Sequence, residues 1–153
     1  MTRPGLASAL FALAGPGVEL GLAPWVLTGF ATGDGLPGAW PLRALGAVLL
    51  AGALVVLADA FVRFAREGRG TPSPLAPPRS PVHGGVYAVL RHPMYVAATA
   101  GLVGEALLLR RPVLLIAAAL YALTMALLVR YVEEPLLRRR FGERWRSGGD
   151  PPR

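Results

Sequence analysis

The apolar positions of this 153-residue chain gather into four runs separated by short polar or proline-rich stretches. The first covers about residues 5–31, is interrupted by Gly15, Pro16, Gly17 and Pro24, and carries Glu19 inside it. The second covers about 44–64 and contains Asp59; the third runs from Pro93 to Leu109, and the fourth, from Pro112 to Val129, holds no charge. Each is close to the roughly 20 residues that cross a 30 Å hydrocarbon core at about 1.5 Å per residue. The last two meet at Arg110-Arg111-Pro112, which predicts a tight helical hairpin. The pattern therefore predicts an all-α integral membrane bundle of about four transmembrane helices, ending in that hairpin. A cleaved signal peptide competes for the first run. Glu19 within it, and no compact apolar centre leading to a small-residue cleavage site, favour a retained helix.

The segment Glu67 to Pro81 breaks this pattern. It reads EGRGTPSPLAPPRSP and holds five of the 15 prolines, which remove hydrogen-bond donors and favour extended backbone, so it is a loop. No internal repeat is visible, and residues 1–153 read as a single membrane domain.

Composition sharpens the membrane reading. Charged residues make up 16% of the chain against roughly 25% in soluble domains. All 16 basic residues are arginine, and they lie beside the apolar runs, as charges facing lipid headgroups do. The net charge of +7 is thus read as a membrane signal and not a nucleic-acid one. With both termini in the cytoplasm, thirteen of the sixteen arginines fall on the inner side, leaving Arg43, Arg110 and Arg111 outside. An arginine-only, Ala/Gly/Pro-rich composition suggests a GC-rich bacterial genome, and hence the inner membrane. With no cysteine, disulfides and thiolate chemistry are excluded, and His83 and His92 are too few for a metal cage.

Two polar clusters could carry chemistry. In GGVYAVLRHPMYV, residues 84–96, Pro93 suits the first turn of a helix, placing His92 at its N-cap with Met94 and Tyr95 just inside. His92 and Tyr95, three apart, share a face. Tyr87, Arg91, His92 and Tyr95 then collect at the cytoplasmic edge, either as an interfacial anchor or as a binding site. The second cluster is Arg130, Tyr131, Glu133 and Glu134, which the hairpin returns to the same face. Adjacent carboxylates oppose the dipole of a helix C-terminus, so they either pair with Arg138, Arg139 and Arg140 or bind hydroxyls or positive charge in a ligand. Among acids in the apolar runs, Asp59 is set to pair with Arg63 at i,i+4, and Glu105 with Arg110. Glu19 has no evident role.

The pattern Val86-Tyr87-x-x-x-Arg91-His92-Pro93-x-Tyr95, followed by Glu133-Glu134-x-x-Leu137 and Phe141-Gly142-Glu143, resembles the isoprenylcysteine carboxyl methyltransferase family, a relative of the membrane phospholipid N-methyltransferases. The resemblance covers roughly residues 44–146. It implies a membrane-embedded methyltransferase that uses S-adenosylmethionine, with the cofactor on the cytoplasmic side. It further implies that Tyr87, His92, Pro93, Met94, Tyr95 and Glu133 line the cofactor pocket, with Val82 adding contacts. Glu134 completes a Glu-Glu-Pro sequence seen in the phospholipid enzymes, and Arg91 or Arg130 would orient the acceptor. The expected acceptor is a membrane lipid or small hydrophobic molecule, and a bundle of this size could pair as a homo-oligomer. Two other readings stay open: a non-catalytic scaffold keeping the fold, and a membrane reductase with a related helical core.

Overall fold

The computed structural model describes residues 15–66 and 92–135. Every regular element among them is helical. The first element among the described residues is a π-helical turn, Val18–Leu22, that runs directly into α1, Ala23–Thr28. A loop leads to α2, Trp40–Arg66. The hairpin consists of α3, Pro93–Leu109, and α4, Pro112–Leu128, and a second π-helical turn, Val129–Glu133, extends it. The loop Glu67 to Pro81, and with it Val82, Tyr87 and Arg91, lies outside the described residues, as do residues 1–14 and the arginine-rich tail from Leu136 onward.

Proline sets these boundaries. Pro93 and Pro112 each occupy the first turn of their helix, where the missing N–H costs no hydrogen bond. Arg110 ends α3 in the left-handed region, at φ 55°, and lets the chain reverse within two residues. The loop before α2 closes this end. Gly33 N–H donates to Leu109 O at 2.8 Å, Arg110 Nε to Leu36 O at 2.8 Å, and Arg111 Nε to Ala31 O at 3.0 Å. Arg110 and Arg111 thus satisfy loop carbonyls rather than projecting as free cations.

Helix α2 packs along α3, and small residues make this possible. Ala53 and Leu57 of α2 and Ala97 of α3 form the core cluster, with Leu20, Val56 and Met94 packed against it. Nearer the Arg110-Arg111 turn the helices almost touch: a Cβ added at Gly104 would lie 2.7 Å from Gly46 O and 2.8 Å from Leu50 N. Close approach through small side chains is the usual packing of helices in lipid, where dispersion and not the hydrophobic effect drives association. With Gly46 against Gly104 and Ala53 against Gly101, α2 and α3 run antiparallel.

The outside of the bundle is as apolar as the inside. Val48, Val55, Ile116 and Leu120 are all at least 60% exposed. The segments Trp40–Arg63 and Pro112–Val132 are long and apolar enough to cross a membrane, yet only 22% and 11% of an 18-residue apolar stretch within each is buried in the bundle. Apolar surface on that scale does not face water in a monomer. Its solvent is lipid, and the protein belongs in a membrane.

Candidate functional site

The antiparallel hairpin returns the end of α4 to the level at which α3 begins. The chain's two polar motifs, 38 residues apart in sequence, therefore stand at one end of the bundle, opposite the Arg110-Arg111 turn.

At the start of α3, His92 is the N-cap residue, with φ −132° and ψ 63°, and its side chain makes no capping hydrogen bond. Its ring stacks on Tyr95 instead, with centroids 5.8 Å apart and planes at 11°, an offset-stacked arrangement. The shared face read from the i,i+3 spacing is thus realised as ring contact. Beneath the pair, Pro93 is fully buried and Met94 packs on the Ala53–Leu57–Ala97 cluster, which fixes the first turn of α3. Thr99 donates to Tyr95 O at 2.8 Å.

At the end of α4, the helix widens. Glu134 N–H donates to Val129 O, a bond one residue longer than the α-helical one. The cause is legible in Glu133-Glu134-Pro135: Pro135 has no N–H to offer the carbonyl four residues back, so the last turn relaxes to the wider spacing. The same geometry occurs at the N-terminus, where Ala23 N–H donates to Val18 O just before Pro24. Arg130 and Tyr131 face outward on the π turn, whereas Glu134 is half-buried and Glu133 is the last residue of the turn.

The expected Asp59–Arg63 pair forms, at 2.8 Å, toward the same end on α2. The expected Glu105–Arg110 pair does not. Arg110 reaches Asp34 Oδ1 at 3.1 Å and Leu36 O, partners from the loop more than 70 residues earlier. Glu105 is left buried, with Oε2 lacking a hydrogen-bond partner among the described residues, beside a cavity of about 180 Å³ lined by Phe30, Leu50, Leu108 and Leu109. A buried oxygen with no partner carries its desolvation cost uncompensated. Glu105→Leu should therefore raise stability by about 1–3 kcal/mol, measured by thermal unfolding in detergent; a loss of stability would show that the carboxyl is engaged.

Glu19 also acquires a partner that sequence reading missed. Tyr121, in the middle of α4, lies within electrostatic range of it. The only signal was a phenol in an otherwise almost wholly apolar run, with an unexplained acid elsewhere in the apolar part of the chain.

A lipid-embedded helical bundle whose hairpin brings the described parts of the two polar motifs to one end is consistent with the membrane methyltransferase that the sequence resembles. Residues 42–144 match the phospholipid methyltransferase family, and the chain belongs to that family. The match spans both motifs and falls on the phospholipid side of the relationship that the sequence suggested. No curated protein and no solved structure matched the chain.

Proposed function

We propose that this protein transfers a methyl group from S-adenosylmethionine to a lipid-like or small hydrophobic acceptor at the cytoplasmic face of the membrane. The observation that carries the proposal is the family match across both motifs. In this reading all four helical segments cross the bilayer, both termini are cytoplasmic, and the chain forms one domain.

The residues present suit such a cofactor. The stacked His92–Tyr95 pair offers flat π faces at the membrane edge, suited to an adenine ring and to a sulfonium cation. The acidic pair Glu133-Glu134 supplies acceptors for ribose hydroxyls or an ammonium group. Tyr87, Pro93, Met94 and Val82 complete the proposed wall, and Arg91 or Arg130 orients the acceptor. When bound, S-adenosylmethionine supplies an electrophilic methyl group on a positively charged sulfur.

Methyl transfer from a sulfonium needs little acid–base machinery. What the protein contributes is alignment of the two partners and exclusion of water. A proline-braced first turn holding two stacked rings is a rigid base for alignment. The surrounding apolar helices keep the interior dry and admit an amphipathic acceptor from the side.

The test is calorimetric titration of S-adenosylhomocysteine into the detergent-solubilised protein, followed by labelled-methyl transfer to a lipid extract. Micromolar binding, lost in Glu133→Ala, together with a labelled lipid product, is the expected result. A folded protein that neither binds nor transfers overturns the proposal in favour of a scaffold.

A further inference from the structure

The cavity beside Glu105 is no part of the proposed cofactor site. It lies toward the Arg110-Arg111 turn, about 20 Å farther along α3 than His92. Its volume is about 180 Å³, and its walls come from three parts of the chain: Phe30 just after α1, Leu50 of α2, and Glu105, Leu108 and Leu109 of α3. Apart from the one carboxyl, every side chain in this lining is apolar.

Two features of the lining cost the fold and return nothing to it. Glu105 is only 7% exposed, and its Oε2 has no hydrogen-bond partner among the described residues. Arg110, the nearest cation in the sequence, is engaged elsewhere, with Asp34 and the Leu36 carbonyl, and Arg111 donates to the Ala31 carbonyl. Phe30 adopts φ 55°, a left-handed backbone that a bulky aromatic residue rarely takes. It is held there as its N–H donates to Thr28 Oγ1 at 3.1 Å, while that hydroxyl donates to Pro24 O at 2.7 Å. An uncompensated carboxyl and a strained backbone thus converge on one cavity, and costs of this kind gather where a ligand is held.

We infer that the cavity binds a small primary amine carried on a compact apolar body, with the Glu105 carboxyl receiving the nitrogen. A carboxyl and an amine form a net-neutral pair whichever of them holds the proton, so no uncompensated charge remains in the apolar pocket once the ligand is seated. The amine's N–H groups supply the donor that Oε2 lacks. A cavity of about 150 Å³ admits a benzene ring, so this one has room for a ring bearing an aminomethyl arm. Binding here is independent of the cofactor site.

The test is calorimetric titration of benzylamine into the full chain in phosphatidylcholine nanodiscs, corrected with empty discs. Ethylbenzene, which has the same shape and no donor, and benzyl alcohol are titrated alongside. Benzylamine is expected to bind the wild type at least about tenfold more tightly than either, as a charge-assisted hydrogen bond allows. Glu105→Gln, which keeps the length of the side chain, should remove that advantage. Equal affinity of benzylamine and ethylbenzene for the wild type, or no binding of benzylamine, overturns the inference. So does benzylamine affinity unchanged in Glu105→Gln. The wild-type comparison needs no variant, so a misfolded Glu105→Gln leaves it decisive. Benzyl alcohol matching benzylamine overturns the choice of an amine. Displacement of benzylamine by phosphatidylethanolamine added to the discs assigns the pocket to a lipid headgroup and overturns the small-molecule reading.

Discussion

Gly104→Leu is expected to separate α2 from α3 and to cost about 3 kcal/mol, or the fold altogether. Overpacking costs typically about 1–3 kcal/mol where neighbouring side chains can shift. At Gly104 the obstructing atoms are Gly46 O at 2.7 Å and Leu50 N at 2.8 Å, both backbone, so nothing short of moving a helix relieves the clash. That movement would also strip contacts from Ala53, Leu57 and Ala97. Gly52 is the control. It lies on α2, the helix that Gly104 approaches, with open space around its Cβ position, so Gly52→Ala should be neutral or stabilise by up to about 1 kcal/mol through helix propensity. Thermal unfolding in detergent, followed by circular dichroism, separates the two. Equal behaviour of the two variants would refute the close approach of α2 and α3.

His92→Ala is expected to weaken S-adenosylhomocysteine binding at least about tenfold, equivalent to about 1.4 kcal/mol, while leaving the fold intact and lowering stability by about 0.5–1.5 kcal/mol. The asymmetry follows from geometry. Because the imidazole makes no capping hydrogen bond, alanine removes no helix cap. Pro93 and Met94 still anchor the first turn. What disappears is the ring stacked on Tyr95, an interaction worth about 0.5–1.5 kcal/mol, together with the π surface it presents. Calorimetry on the variant, paired with its unfolding temperature, reads both effects. A stable variant that binds as tightly as wild type would remove His92 from the pocket.

Much of the architecture was legible because proline marks it. Pro93 and Pro112 locate the starts of α3 and α4, and the adjacent arginines locate the turn, so those helices fall where the apolar runs placed them. That His92 and Tyr95 share a face followed from spacing alone, whereas their ring stacking did not. Other features were hidden because their causes lie far away in the chain. Arg110 was matched to the nearest acid, Glu105, one turn away, yet its partners come from the loop at Asp34 and Leu36, which topology brings beneath the hairpin. Glu19 looked isolated because its partner, Tyr121, is about a hundred residues distant. The π turns depend on a proline two residues beyond each of them, a local signal that periodicity analysis at 3.6 residues does not register.

The shortness of α3 has a consequence for where the reaction meets the lipid. Its 17 residues span about 25 Å, some 5 Å less than a typical hydrocarbon core. If α3 crosses the bilayer as proposed, with the arginine turn at one surface, the His92 end stops below the opposite headgroup plane. The bilayer must dimple there to meet it, a deformation whose cost grows with acyl-chain length. Under the proposed function, the acceptor's headgroup would have farther to sink in thick membranes, and membrane thickness would then control the rate without any residue of the site encoding it.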